Sequence, residues 1–189
     1  MERTPTFTRP PPSPSRPDPA FAAILVLDVV GYSRHMAEDA EATLAAMGAA
    51  YRRIARPTVE RADGRVVKLM GDGLLAEFAD AAAAIHAAVQ IQRAMTAGRE
   101  PALARRPLEL RAGVHAGEIW RRGGDIFGPT VNIAARLERA AQPGTILASF
   151  AAAADADCLR DVARHDLGAM WLHNIDRPVR VVRLDAVRR

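Results

Sequence analysis

The chain is almost free of lysine: of its 26 Lys and Arg residues only Lys68 is a lysine, and the other 25 are arginines. A compact ammonium with three rotatable donors therefore stands at one position, where a planar guanidinium fork is no substitute. Cysteine is equally scarce. Cys158 is alone, which excludes an intrachain disulfide and suits a reducing, cytoplasmic setting. Aromatic residues make up 5% of the chain, and no more than two arginines occur in succession. The stacking platforms and basic stripe of a nucleic-acid-binding protein are thus missing, despite a net charge of +4 and a pI near 10.1. No apolar run approaches the roughly 18 residues of a membrane span; the longest, residues 20–27, is ended by Asp28. The N-terminus lacks the apolar core of a signal peptide. These absences predict no nucleic-acid partner and no membrane insertion.

With 49% hydrophobic and 25% charged residues, 189 positions suffice for one soluble domain with a buried core. Residues 1–19 hold seven of the 13 prolines and read as a disordered, partly polyproline-II tail, leaving residues 20–189 as the domain. Phe21-Ala22-Ala23-Ile24-Leu25-Val26-Leu27 is a continuous apolar run suited to a central strand buried on both faces. A helix is predicted over residues 40–61, kinked or divided at Pro57. Strands follow over 65–70 and 74–78, then a helix over 80–96 with Asp80 as N-cap, and a strand over 108–115. That order is βαββαβ, the ferredoxin-like α+β plan. Beyond it come a short strand at Ile119-Trp120, a turn at Arg122-Gly123-Gly124-Asp125 and a helix over 130–141. A strand over 145–149, a short helix over 150–157 and strands near 162–167 and 179–184 complete a C-terminal αβ extension.

The ferredoxin-like plan puts the third strand between the first and second, antiparallel to both. The end of strand one then abuts the hairpin turn in Lys68-Leu69-Met70-Gly71-Asp72-Gly73, and Asp28 meets Asp72 on one rim. Two ionised carboxylates at that distance repel and require a cation between them. Oxygen donors without a nearby His/Cys cluster select a hard ion, Mg²⁺ or Mn²⁺, of the kind used in phosphoryl or nucleotidyl transfer. The backbone amides of residues 29–33 offer themselves to a polyphosphate. Asn132 and Arg136 share a helix face at i, i+4, with Arg136 suited to phosphate charge and Asn132 to a sugar or reacting group.

Three stretches, taken in order, resemble the class III adenylate/guanylate cyclase catalytic domain: Asp28-Val29-Val30-Gly31-Tyr32-Ser33, Lys68-Leu69-Met70-Gly71-Asp72-Gly73, and Asp125-Ile126-Phe127-Gly128-Pro129-Thr130-Val131-Asn132-Ile133-Ala134-Ala135-Arg136. The resemblance covers about residues 21–184. It implies that Asp28 and Asp72 bind two metal ions per active site, and that Lys68 and Asp125 read the adenine edge of ATP. It further implies that Asn132 positions the ribose and that Arg136 stabilises charge at the α-phosphate. The reaction implied is attack of the ribose 3′-oxygen on the α-phosphorus, giving cyclic AMP and pyrophosphate. The family's sites lie across a head-to-tail dimer interface, and since this chain carries both sets of residues a homodimer is implied. His173, in Trp171-Leu172-His173-Asn174, stands where the family usually has a triphosphate-gripping lysine. A neutral imidazole holds phosphate less firmly than an ammonium, so this departure implies a weaker grip on ATP.

The main rival is a catalytically weak or inactive cyclase-like module for nucleotide binding or regulatory dimerisation; His173 favours it, and Asp28, Asp72, Asn132 and Arg136 speak against it. Gly123-Gly124-Asp125-Ile126-Phe127 resembles the GGDEF signature of diguanylate cyclases in its letters but follows the fourth strand, so it is set aside. His115, Tyr51, Trp120 and Trp171 are read as core or interface residues, and His35, His86 and His165 lack metal-like spacing.

Overall fold

A computed structural model describes residues 18–154 and 162–186. The proline-rich stretch before Asp18, Cys158 and the later part of the helix expected over 150–157 lie outside the described residues. The strands are β1 (Asp18–Val29), β2 (Arg65–Met70), β3 (Gly73–Phe78), β4 (Leu110–Arg122), β5 (Asp125–Phe127), β6 (Thr145–Ser149), β7 (Ala163–Met170) and β8 (Val179–Asp185). They form one sheet in the order β2-β3-β1-β4-β6-β8-β7, with β5 paired to β4. β3 lies between β2 and β1 and is antiparallel to both, as the ferredoxin-like α+β plan requires. The extension enters as β6, parallel to β4, followed by antiparallel β8 and β7.

Helices α1 (Tyr32–Glu38), α2 (Ala40–Ala49) and α3 (Arg56–Arg61) make the first crossover, with a π-helical segment, Ala50–Ala55, between α2 and α3. The helix expected over 40–61 runs on through a π-helical segment that ends just before Pro57, a local change of register that accommodates the proline's missing N–H. α4 (Ala81–Thr96) begins at Asp80, whose carboxylate accepts from Ala83 N at 2.8 Å, and stops before Gly98 at φ +59°. α5 (Pro101–Arg105), α6 (Pro129–Ala140) and α7 (Phe150–Ala153) complete the set. α1, α5 and β5 are too short for periodicity to reveal them. Ile119-Trp120 is not a separate strand but the continuation of β4, and β1 starts two residues before the expected domain boundary.

One face of the sheet is covered by α2 to α4 and α7. Leu25, Leu27, Leu74, Leu110 and Ile146 pack there against Ile54, Val59, Ile85, Val89 and Ile91, all buried. Each such side chain contributes about 1.5–3 kcal/mol. Alanines along α4, such as Ala84, Ala87 and Ala88, let the helix sit close to the strands. Its one buried amide, Gln92, donates to Leu110 O at 2.9 Å and ties α4 to β4. The other face carries α6, whose Ala134 and Leu137 seat it on Ala22, Ile24, Val26, Ile119 and Leu147. Gly113 makes that seat possible, because a Cβ there would fall 2.2 Å from Ala134 O and 2.3 Å from Glu138 N. α6 is thereby pressed onto β4, which fixes the register of Asn132 and Arg136 along it.

His115 on β4 places Nδ1 2.8 Å from Ser149 Oγ, the N-cap of α7. Burial, then the charge of Arg177, pushes its pKa down to about 4. The unfolded chain, with an ordinary histidine near 6.5, binds the proton first. Stability is therefore full above about pH 6.5 and declines as pH falls toward 4, by about 2–3 kcal/mol for this group. Urea titrations across that range are expected to show the decline in the parent and a shallower one in His115→Gln.

Candidate active site

Alternation along β1 buries Ala22, Ile24 and Val26 beneath α6 and brings Asp28 to the same side at the strand's end. Its Cα partners are Gly73 of β3 and Arg111 of β4. The β2–β3 turn consists of two residues, Gly71 and Asp72, with Gly71 at φ +66°. A positive φ at the first position of a two-residue loop suits the twist of the strands and explains the glycine. Val29 N donates to Asp72 O at 3.3 Å, locking the turn onto the end of β1. Asp28 and Asp72 thus converge. Partial burial, then the charge of Asp28, raises the pKa of Asp72.

Two residues at this rim were not among the sequence candidates. Arg111 reaches Asp28 Oδ2 at 2.7 Å through Nη2 and 3.2 Å through Nε, and Nε also lies 2.6 Å from Glu138 Oε1. Glu138 is 5% exposed. Burial lifts its pKa to about 7, with Arg111 pulling it down and Asp28 pushing it up. Arg111 thus stands as a cation between Asp28 and Glu138. Glu138 was legible as a charge four residues beyond Ala134 on the apolar face of α6. Arg111 was not, because its place opposite Asp28 depends on the β1–β4 register.

The remaining candidates lie elsewhere on the chain. Lys68 follows a register shift in β2, and its Nζ lies 2.5 Å from Asp125 Oδ2 on β5, with the Phe127 ring centroid 6.0 Å away. The Lys68 hydrogen bond lowers the pKa of Asp125, whose other oxygen accepts from Ile126 N at 2.8 Å. Arg65 Nη1 donates to Gly124 O at 3.0 Å and fastens β2 to the β4–β5 turn. On α6, Asn132 is exposed, and Arg136 Nε donates to His173 O at 3.0 Å in the β7–β8 connection. The structure therefore pairs Asp28 with Asp72, Lys68 with Asp125, and Arg136 with His173. One expectation is corrected. The amides of Val29 and Val30 are committed to Asp72 O and Glu109 O, so within residues 29–33 the offer to a polyphosphate narrows to the turn at Gly31 and the start of α1.

Among the described residues no group of three or more His, Cys, Asp or Glu side chains converges. An Asp72 carboxylate whose ionisation the neighbouring Asp28 disfavours fits, with Asp28, a hard divalent ion that takes its other oxygens from water and substrate phosphates. Among the described residues no helix is long and apolar enough to cross a membrane.

A ferredoxin-like α+β sheet with two carboxylates at the end of its first strand and central hairpin defines a nucleotide cyclase-type domain. The family model described as the adenylate and guanylate cyclase catalytic domain matches residues 19–165, and the chain belongs to that family. The adenylate cyclase of Glutamicibacter nicotianae is 36% identical over 155 residues, 81% of this chain and 36% of that protein. A Rhizobium meliloti relative is 38% identical over 161 residues, covering 85% of this chain and 27% of its own length. The chain spans about a third of the length of such relatives. The crystal structure of an adenylate/guanylate cyclase/hydrolase from Silicibacter pomeroyi superposes with a TM-score of 0.80 at 36% identity, over 89% of this chain and 98% of that one. The adenylyl cyclase CyaB from P. aeruginosa shares the fold with a TM-score of 0.79 at 23% identity, over 93% and 98% of the two chains.

Proposed function

We propose that the domain is an adenylate cyclase that converts ATP to 3′,5′-cyclic AMP and pyrophosphate, acting as a head-to-tail homodimer with two Mg²⁺ or Mn²⁺ ions at each site. The observation that carries this reading is the separation of the candidates. Asp28 and Asp72 converge at the end of β1, while Arg136 is turned onto the β7–β8 connection, beside His173. Each protomer holds two halves of different sites, and a second copy completes both.

In such a site Asp28 and Asp72 hold the ions, which when bound withdraw charge from the triphosphate oxygens. Asn132 orients the ribose so that its 3′-oxygen lines up with the α-phosphorus. The new bond joins O3′ to Pα as the 3′-hydroxyl gives its proton to solvent water, and the bond from Pα to the oxygen bridging to the β-phosphate breaks, releasing pyrophosphate. Arg136 leaves the carbonyl of His173 to meet the charge that builds on the α-phosphate. His173, at the usual lysine position, contributes a weaker contact to the triphosphate.

Base choice follows from the Lys68–Asp125 pair. Asp125, held ionised by Lys68, is an acceptor only and accepts a hydrogen bond from the adenine 6-amino group, while Lys68 donates to N1. Guanine presents an acceptor and a donor in those two places, so both contacts reverse sign. Mismatched hydrogen bonds in a closed site discriminate by about 100-fold or more. Measured kcat/KM is expected to favour ATP over GTP on that scale, and Lys68→Glu with Asp125→Cys is expected to lose the preference. A double variant that cyclises ATP at the parental rate overturns the role given to Lys68.

A further inference from the structure

Tyr51 is unusual among the core residues. It is 4% exposed, lies in the π-helical segment between α2 and α3, and carries a hydroxyl into an otherwise apolar cluster. That hydroxyl donates to the main-chain carbonyl of Asp72. The same carbonyl accepts from Val29 N, the residue after Asp28. One oxygen atom thus joins the hairpin turn, the end of β1 and the first crossover. A π turn inserts one extra residue per turn and re-aims the side chains it carries; here it delivers a phenol to the sheet rim.

We propose that Tyr51 is a positioning residue for the metal rim: through the carbonyl of Asp72 it sets the spacing of the Asp28 and Asp72 carboxylates. The inference rests on the cyclase reading of those two residues. Gly71, just before Asp72, offers little steric restraint, since a Cβ there would meet nothing within 4 Å. Without the hydroxyl, the Asp72 carbonyl retains only the Val29 bond, and two carboxylates that repel one another move apart.

The test removes the hydroxyl and reads the metal. Binding of Mn²⁺ to the nucleotide-free protein is followed by electron paramagnetic resonance for the parent, Tyr51→Phe and Tyr51→Leu, below the melting midpoint of all three. Cyclisation is then titrated separately in Mn²⁺ and in ATP. Both variants are expected to bind Mn²⁺ about fivefold to tenfold more weakly and to need correspondingly more metal for half-maximal rate. The KM for ATP at saturating metal is expected to stay at the parental value. Loss of Mn²⁺ affinity in Tyr51→Leu alone would track packing rather than the hydroxyl and would overturn the proposal. So would a Tyr51→Phe that binds Mn²⁺ like the parent, and in that case the cyclase reading stands. A parent that neither binds Mn²⁺ nor cyclises ATP overturns both.

Discussion

Asp72→Asn is expected to lower the rate of cyclic AMP formation by about a thousandfold or more, because a divalent ion that stabilises a transferring phosphoryl group loses an anionic ligand that an amide does not replace. The same substitution is expected not to weaken the fold. Partial burial and the neighbouring Asp28 make the ionised form of Asp72 unfavourable in the metal-free chain, and a neutral amide of the same shape removes that repulsion. The melting midpoint should therefore equal or exceed the parent's, with a gain that shrinks as salt screens the carboxylates. An inactive variant that is at least as stable is the mark of a functional residue in strain. A fall in both quantities would instead identify Asp72 as a structural hairpin residue.

The second large effect requires two defective chains. Arg136→Ala is expected to be nearly inactive, since removing one donor to transition-state charge costs about a hundredfold to a thousandfold in kcat. Mixed with Asp72→Asn in equal amounts and allowed to exchange subunits, it is expected to restore about a quarter of parental activity. Half of the dimers are then mixed, and in each of these one of the two sites draws intact carboxylates from one chain and intact Arg136 from the other. The pairing of Arg136 with His173 rather than with the Asp28 rim is the geometric reason to expect this. Activity that stays at the level of the separate variants would mean that each chain builds its own site.

How much was legible in the sequence follows from the range of each interaction. The central strand announced itself by an uninterrupted apolar run, and α4 by its cap, its spacing and its terminal glycine, all local features. The convergence of Asp28 and Asp72 was legible because the ferredoxin-like order fixes which loops meet, whatever the details of packing. Lys68 stood out by its rarity, and its partner by the family resemblance. Arg111 and the hydroxyl of Tyr51 were hidden for opposite reasons. Arg111 is one arginine among many, and only the β1–β4 register places it across from Asp28. Tyr51 has the spacing of a core residue, and nothing in a 3.6-residue period foretells a π turn that rotates its hydroxyl onto a hairpin carbonyl. The expected helix over residues 40–61 holds along its whole length but takes its π turn in that same segment, just ahead of Pro57.

The central claim is that the domain makes cyclic AMP, and its most direct measurement follows the product. Purified protein is incubated with ATP and Mn²⁺, with Asp72→Asn as control, and the nucleotides are separated and weighed by mass spectrometry. The account predicts 3′,5′-cyclic AMP and pyrophosphate in equal amounts from the parent and background from the variant. ATP bound by both proteins with no cyclic product from either would contradict it and identify the domain as a binding module.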